Sequence, residues 1–298
     1  MKIKVGCCGF AGGMEKYFEK FGLVEVQSTF YKLPRLKTVL KWREKSPQNF
    51  EFTIKCFQGI THPITSPTWR RASLKEEELK KLKDKVGFLL PTKEVFTFWK
   101  EVMEICKVLK SRICIIQLPA SFKDEEKNWK NAEKFFRKIK KEIIIGVELR
   151  KWEDERRKKF CKKFEVIDVV DPFANNPQYF TKKRIAYFRL HGSPPGKRMY
   201  SYKYLRKDLE ILKKKIEGLK VKEVYCLFNN IWMKEDALKF ISFLFWYTKG
   251  KPVLSKRIYF GPLILAVLSA INSAIKLSDG LYTCIPGRTR IRAISSVP

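Results

Sequence analysis

Short apolar runs alternate along the chain with longer segments in which apolar residues recur at helical spacing. The apolar runs are bounded by turn residues and predict eight strands, at 3–8, 24–29, 51–56, 113–118, 143–149, 165–171, 185–191 and 223–229. Helical spacing predicts helices over 14–21, 35–45, 94–110, 126–141, 153–163, 202–217 and 234–246. Strands that alternate with helices are typical of parallel sheets, and eight such units favour a closed barrel over an open sheet.

We therefore predict an α/β fold with a single TIM-like (β/α)8 barrel over residues 1–248 and a separate tail over 249–298. No Gly-x-Gly-x-x-Gly segment follows a predicted strand, which disfavours a dinucleotide-binding fold. Within the tail, residues 258–275 carry no charge and reach the minimum length of a membrane span. Pro262 and Asn272 lower the hydrophobicity of this segment, so we expect a helix packed on the barrel or a poorly ordered appendage, with a membrane anchor as the alternative.

The predicted strand 24–29 has two faces of opposite chemistry. Successive strand side chains point to opposite faces, so Val24 and Val26 share one face while Glu25 and Thr29 share the other. In a parallel barrel the outer face packs on helices, and the inner face opens into the active-site mouth at the carboxyl end of the strand. Glu25 and Thr29 are therefore predicted to lie in such a mouth.

Other predicted strands also end in polar residues. Together with Glu25, Gln27 and Thr29 they form a candidate ring made of Lys55, Gln117, Glu148, Arg150, Asp171, Arg189, His191 and Asn229. Burying these groups without partners would be costly, so we expect them to pair with each other, with water or with a ligand. A purely structural network is one interpretation, with Glu148 paired to Lys55 and Glu25 paired to Arg189.

The catalytic interpretation gives these residues separate roles. Arg189 and His191 share a strand face, where an anion clamp and a proton shuttle could act on one substrate. The chain has one other histidine, His62, which lies in the long connection between residues 58 and 86. The catalytic candidates are Glu25, His62, Glu148, Asp171 and His191. The substrate-binding candidates are Thr29, Lys55, Gln117, Arg150, Arg189 and Asn229.

A divalent metal is an open alternative for part of this set. Glu25, Glu148, Asp171 and His191 offer the oxygen and nitrogen ligands that such an ion accepts. Spacing does not separate a metal site from acid–base catalysis, because the four residues come from different predicted strands.

The charge balance favours an anionic partner. The chain has 63 Lys and Arg residues against 31 Asp and Glu, a net charge of +32. Many of these lysines are expected on solvated helix faces. The segments Trp69-Arg70-Arg71 and Gly196-Lys197-Arg198 are also basic, and they support nucleic-acid binding as an alternative to a small anionic substrate.

Cysteine usage and the amino terminus bear on localisation. The chain has eight cysteines without a Cys-x-x-Cys pair, most of them in apolar runs, which indicates reduced and buried thiols. The adjacent Cys7 and Cys8 are the exception for which a redox or metal role stays open. Met1 leads directly into a predicted strand without a signal peptide, so we expect a cytoplasmic protein.

A series of motifs occurs in order between about residues 3 and 245. They are Val24-Glu25-x-x-Ser28-Thr29-Phe30-Tyr31-x-x-Pro34, Trp42-Arg43, Pro47-x-x-Phe50-x-Phe52-x-x-Lys55, Ile60-Thr61-His62, Gln117-Leu118-Pro119-x-Ser121-Phe122, Gly146-Val147-Glu148-Leu149-Arg150, Tyr187-x-Arg189-x-His191-Gly192 and Tyr225-x-x-Phe228-Asn229-Asn230. This series resembles the YecE-like family, also called domain of unknown function 72. The resemblance implies a TIM-like barrel and brings no established reaction, and it does not extend into the tail.

Three functions are consistent with these observations. The first is an enzyme, a hydrolase or an isomerase, that acts on a small anionic substrate such as a phosphorylated or acidic sugar by acid–base or metal-assisted chemistry. The second is a nucleic-acid-binding or nucleic-acid-processing barrel. The third is a scaffold protein whose tail contacts a membrane or a partner.

Overall fold

The protein folds into a closed barrel of eight parallel strands, as the sequence predicted. The computed structural model describes residues 1–139, 142–192, 199–247 and 258–259. The strands are β1 (Lys2–Cys8), β2 (Leu23–Val26), β3 (Glu51–Lys55), β4 (Ile113–Gln117), β5 (Ile144–Glu148), β6 (Ile167–Val170), β7 (Ile185–Leu190) and β8 (Glu223–Phe228). Strand β1 pairs with both β8 and β2, which closes the barrel. A two-residue strand, β9 (Ile258–Tyr259), pairs with β1 at Ile3 and Lys4.

Helices follow the strands and cover the outside of the barrel. They are α1 (Met14–Phe18), α2 (Ser28–Tyr31), α3 (Leu36–Lys45), α4 (Gln58–Thr61), α5 (Glu76–Leu82), α6 (Lys93–Leu109), α7 (Glu126–Lys138), α8 (Asp154–Phe164), α9 (Arg206–Glu217) and α10 (Met233–Tyr247), with a 3-10 helix at Pro67–Arg71. The helix predicted over 202–217 begins only at Arg206. The carboxylate of Asp208 accepts a hydrogen bond from the Leu205 amide and so satisfies a free donor at the start of α9.

The strand predicted over 24–29 is shorter than its pattern indicated. It ends at Val26, and Gln27 turns into helical backbone to start α2. Thr29 therefore lies in a helix, where its buried hydroxyl is 3.0 Å from the Val26 carbonyl oxygen and 2.8 Å from that of Lys55. Because this hydroxyl donates to backbone carbonyl oxygens at the ends of β2 and β3, the structure does not support Thr29 as a substrate-binding residue.

Strand alternation divides the core into two parts. Residues of the inner face form an apolar cluster inside the barrel, made of Cys8, Leu23, Ile113, Ile115, Ile167, Val169, Ile185, Tyr187, Tyr225 and Leu227. Residues of the outer face, such as Phe52 and Ile54, belong to a second and larger cluster under the helices. The same alternation carries Glu25, Lys55, Glu148 and Arg189 to the inner face above the apolar cluster, at the carboxyl ends of their strands.

The opposite end of the barrel is closed by a separate charged cluster. Lys4 is buried and lies 2.5 Å from a Glu51 carboxylate oxygen and 2.7 Å from one of Glu223. Arg112 lies 3.0 Å from the other Glu223 oxygen. Two cations therefore face two carboxylates in direct contact. This balance indicates a structural plug at the amino ends of the strands.

Seven cysteines lie in the described part of the chain, and all are free and buried, in agreement with the prediction of reduced thiols. Burial raises the pKa of the Cys7 and Cys8 thiols, and the neighbouring Glu25 raises that of Cys8 further. Neither residue is a thiolate at physiological pH, so the structure does not support a redox or metal role for this pair.

Most of the tail lies outside the described residues. The predicted apolar segment 258–275 is described only at its first two residues, so its expected role stays a prediction. No helix within the described ranges is both long and apolar enough to cross a bilayer.

Gly6 occupies a position of β1 where a side chain has no room. A Cβ atom built there would lie 2.2 Å from the backbone oxygen of Leu23 on the neighbouring strand β2. We expect Gly6→Ala to lower the free energy of unfolding by about 2 kcal/mol, because two backbones must separate. Urea unfolding measures this change. Gly218→Ala is the matched control, since its Cβ would meet nothing nearer than 3.6 Å; equal stability of the two variants would contradict the prediction.

Candidate functional site

Arg189 is the centre of a charged cluster at the carboxyl ends of the strands. Its Nη2 lies 3.0 Å from Glu25 Oε1 of β2, and its Nη1 lies 2.5 Å from Glu148 Oε2 of β5. All three side chains are buried. The predicted pair between Glu25 and Arg189 is therefore confirmed, and one guanidinium joins two opposite sides of the barrel. Burial lowers the pKa of Arg189, but Glu25 and Glu148 more than compensate, so the pKa lies above its ordinary value.

Glu25 is held by two further side chains. The Tyr187 hydroxyl donates to Glu25 Oε2 at 2.9 Å, and the Gln27 side-chain amide donates to Oε1. Tyr187 is itself within 2.8 Å of the Thr53 hydroxyl inside the barrel. Because Arg189 and these donors engage both carboxylate oxygens, the orientation of Glu25 is fixed, which supports an electrostatic role more than proton transfer.

Glu148 connects Arg189 to the open part of the mouth. Its Oε1 accepts a hydrogen bond from Arg150 Nε at 2.8 Å and lies 3.7 Å from His191 Nε2. Burial alone would raise the pKa of Glu148, but Arg189, His191 and Arg150 together hold that pKa well below its usual range. Glu148 is therefore ionised at physiological pH and acts as an anchor for cations.

Asp171 holds His191 in place. Asp171 Oδ2 accepts a hydrogen bond from the His191 backbone amide at 2.9 Å and lies 3.5 Å from His191 Nδ1. Its Oδ1 accepts from the Phe173 amide. The other ring nitrogen, His191 Nε2, is buried and has no hydrogen-bond partner within the described ranges. Each ring nitrogen thus lies within 4 Å of a carboxylate, Nδ1 of Asp171 and Nε2 of Glu148, and such an imidazole is arranged for proton transfer.

Lys55 differs from the other cations of the mouth. The sequence predicted an ion pair between Lys55 and Glu148, and this prediction is wrong. The Lys55 Nζ lies 3.7 Å from the centre of the Phe30 ring, and Glu148 contacts Arg150 and Arg189 instead. Burial, and then the charge of Arg189, lower the pKa of Lys55 to about 7, although Glu25 and Glu148 oppose the shift. Lys55 is therefore about half neutral at physiological pH.

His62 lies beside this lysine. Its ring packs edge-on against Phe30 with centroids 4.9 Å apart, and its Nδ1 is 2.7 Å from the Thr61 hydroxyl. Burial, Lys55 and Arg150 lower the pKa of His62 to about 3. The ring stays neutral at physiological pH, which favours a hydrogen-bonding role over the catalytic role predicted for it.

A cavity of about 280 Å³ opens beside this cluster at the ends of β5, β6 and β7. Its walls include Glu148, Arg150, Asp171 and His191. Lys151 and the buried Arg157 line it as well. The cavity therefore brings His191 and cationic side chains to the walls of one space, which is suited to a small polar ligand.

Two other candidates take no part in the cluster. The Gln117 side-chain amide donates to the Leu118 carbonyl oxygen at 2.9 Å. Asn229 is half-buried, and its backbone amide donates to the Leu190 carbonyl oxygen. A substrate-binding role for either side chain stays a prediction.

The proposed metal ligands do not converge on one point. Within the described ranges, no group of three or more His, Cys, Asp and Glu side chains is placed to hold a metal ion. Glu25 and Glu148 face opposite ends of Arg189, and Asp171 faces backbone amides. Because these carboxylates are engaged by other donors, the residues do not fit a divalent metal.

Two basic segments, Trp69-Arg70-Arg71 and Gly196-Lys197-Arg198, suggested nucleic-acid binding, and the structure describes only the first of them. Trp69 is buried, and its indole nitrogen donates to the His62 carbonyl oxygen at 3.2 Å, so it offers no exposed ring for base stacking. Arg71 lies over the Tyr31 ring and donates to its hydroxyl. The segment Gly196-Lys197-Arg198 lies outside the described residues.

Sequence reasoning missed three contributors to the site. Tyr187 alternates with Arg189 on the inner face of β7, so the two-residue period of the strand was the signal for it. Phe30 and Tyr200 had no comparable signal, because each lies outside the strands. Phe30 meets Lys55, and the Tyr200 hydroxyl lies 3.4 Å from Arg150 Nη2.

The fold and the charged mouth define a TIM-type barrel protein with a candidate active site at the carboxyl ends of its strands. Residues 10–246 match the family model described as "Protein of unknown function DUF72", and the chain belongs to this family. The family resemblance of the sequence motifs is thereby confirmed. No curated protein matches the chain.

Solved structures show the same fold. A DUF72 family protein from Enterococcus faecalis V583 is 22% identical, with a TM-score of 0.60, and the match covers 82% of this chain and 97% of that one. One from Thermotoga maritima MSB8 is also 22% identical, with a TM-score of 0.60 and coverage of 82% and 99%. The protein SacUVDE matches at 9% identity and a TM-score of 0.51, covering 84% of this chain and 99% of its own. At these identities the likeness concerns the fold alone.

Proposed function

We propose that the protein is an enzyme that acts on a small anionic substrate by acid–base chemistry at the mouth of the barrel. The observation that carries this proposal is the cavity of about 280 Å³ in which His191, with its unengaged Nε2, stands beside Arg150. A volume of this size suits a ligand of metabolite size rather than a polymer.

Arg150 is the group that binds the anion in this proposal. Its side chain is 29% exposed, whereas that of Arg189 is 1% exposed. The Glu148 carboxylate engages Arg150 Nε, which fixes the plane of the guanidinium. Among the described residues, the outer edge formed by Nη1 and Nη2 has one long contact, from Nη2 to the Tyr200 hydroxyl at 3.4 Å, and the proposal gives this edge to the ligand. A phosphate or carboxylate group on the substrate matches the geometry of that edge.

His191 moves the proton. Asp171 fixes its backbone and lies beside Nδ1, so Nε2 is the nitrogen that exchanges a proton with the substrate. Glu148, 3.7 Å away, stabilises the imidazolium that forms when His191 accepts a proton. Such a set can catalyse isomerisation or hydrolysis, and the substrate decides between the two.

Arg150→Ala tests the anion-binding role. We expect the affinity for inorganic phosphate to fall about tenfold or more, because a charge-assisted hydrogen bond contributes about 1.5–3 kcal/mol. Isothermal titration calorimetry on the wild-type and variant proteins measures the change.

Arg112→Ala is the matched control. Arg112 is also a partly exposed arginine paired with a glutamate, but it lies in the charged plug at the opposite end of the barrel. It is expected to leave phosphate affinity unchanged. Equal losses in the two variants would indicate binding to surface charge in general, and no loss in Arg150→Ala would remove Arg150 from the proposed site.

A further inference from the structure

Lys55 is a buried lysine without a counter-ion in contact. Its side chain is at the end of β3, and the residue is 7% exposed. Within the described ranges its Nζ has neither an ion-pair partner nor a hydrogen-bond partner, and it lies 3.7 Å from the centre of the Phe30 ring. Other buried cations of the barrel, such as Lys4 and Arg189, contact carboxylates directly.

The surroundings of Lys55 favour the neutral amine. Burial disfavours the charged form, and the His62 imidazole that packs on the Phe30 ring is neutral and offers no countercharge, although the face of the Phe30 ring attracts the ammonium form. The two glutamates of the mouth are held by Arg189, and the charge of Arg189 also opposes protonation of Lys55. A lysine amine that is desolvated and adjacent to another cation is the arrangement that activates it as a nucleophile.

We propose that Lys55 is a nucleophile that forms a Schiff base with the carbonyl carbon of a small anionic aldehyde or ketone bound at the barrel mouth. The anionic part of this inference rests on the proposed function. The carbonyl part rests on Lys55 itself, a buried amine that no carboxylate contacts within the described ranges.

The reaction balances without a further co-reactant. The nitrogen lone pair of the neutral amine attacks the carbonyl carbon, and the C=O electron pair moves to oxygen. A proton passes from nitrogen to that oxygen to give a carbinolamine. With one more proton from solvent the C–O bond breaks, water leaves and a protonated imine remains on Lys55. The positive imine then withdraws electrons from the adjacent carbon, which is the carbon from which a base such as His191 could remove a proton.

Reductive trapping tests the inference. The full-length protein at pH 7 is incubated with glyoxylate, a small anionic aldehyde, and sodium cyanoborohydride, and the modified lysines are identified by peptide mass mapping over time. We expect Lys55 to be modified at least tenfold faster than the exposed lysines. An ordinary lysine has a pKa of about 10.4, so its neutral fraction at pH 7 is about a thousandfold smaller than that of Lys55.

The pH dependence separates this role from a structural one. The rate of Lys55 modification should reach half its maximum near pH 7, which is the pKa that burial and Arg189 give to this residue. Acetaldehyde is the matched neutral probe, and it should modify Lys55 more slowly than glyoxylate does. Lys55→Arg keeps the charge, and it should remove this fast modification while leaving that of the exposed lysines unchanged.

The outcomes distinguish the two proposals. Modification of Lys55 at the rate of the exposed lysines would overturn the Schiff-base inference, and phosphate binding that depends on Arg150 would in that case still support the proposed function. Fast modification of Lys55 with equal rates for glyoxylate and acetaldehyde would support the nucleophile and count against the anion site.

Discussion

Arg189→Met is expected to lower the free energy of unfolding by about 3–5 kcal/mol, because it leaves two buried carboxylates without their shared cation. Glu25 and Glu148 are both buried and contact opposite ends of the guanidinium. Arg150 remains beside Glu148, but Glu25 keeps only neutral donors. Urea unfolding at pH 7 measures the loss, and a change below about 1 kcal/mol would contradict this account of the cluster.

The cost comes from the stranded charges rather than from lost packing. The triple variant Arg189→Met/Glu25→Gln/Glu148→Gln removes all three charges and is expected to recover most of the lost stability, because a buried ion cluster and its neutral counterpart often differ little. A triple variant as unstable as Arg189→Met would show that the shape of Arg189, and not its charge, is what the core requires.

Acid offers a second check on Arg189. The folded-state pKa of Glu148 lies below its ordinary value of 4.5, so the stability that it contributes is complete above pH 4.5 and is lost as the pH falls further. Arg189 is the main cause of this lowering. The difference in stability between wild type and Arg189→Met should therefore shrink as the pH falls below 4.5.

Lys55→Met is expected to make the protein more stable, by about 3 kcal/mol at pH 7. The pKa of Lys55 falls from 10.5 to about 7 on folding, and each pKa unit corresponds to about 1.4 kcal/mol. From this gain we subtract about 1–2 kcal/mol for the lost contact between the lysine head and the Phe30 ring. Chemical denaturation of the two proteins measures the difference. If replacing Lys55 stabilises the fold, the lysine costs stability, which is typical of a residue that is retained for function.

The sign of the pH dependence follows from the direction of the shift. Because the folded-state pKa is the lower one, the unfolded chain binds a proton that the folded protein does not hold between pH 7 and pH 10.5. The penalty from Lys55 is complete below pH 7 and declines to nothing by about pH 10.5. The advantage of Lys55→Met should therefore shrink over this window.

Lys37→Met is the matched control for this prediction. Lys37 is an exposed residue of α3, so its replacement is expected to change stability by less than about 0.5 kcal/mol. A Lys55→Met variant that is less stable than wild type at pH 7 would show that Lys55 serves the fold, and it would remove the main energetic argument for its role as a nucleophile.

The amino-acid pattern is enough to predict the barrel and the residues that line its mouth. The alternation of eight apolar runs with helical segments requires parallel strands, and the two-residue period of each strand sends Glu25, Lys55, Glu148 and Arg189 to the inner face. These are local properties of the chain, so they can be read without knowing which strand faces which. The strand pattern does not specify pairs: of the two pairs expected from it, Glu25 with Arg189 is present and Lys55 with Glu148 is not.

The contacts between the charged side chains of the mouth follow from the folded structure and not from the local pattern. It placed Arg189 between two glutamates on opposite sides of the barrel and left Lys55 against Phe30, a residue of the short helix that replaces the end of the predicted second strand. It also left Nε2 of His191 unengaged in a cavity. These contacts join residues far apart in the chain, and their energies depend on burial and on distances that local periodicity does not specify.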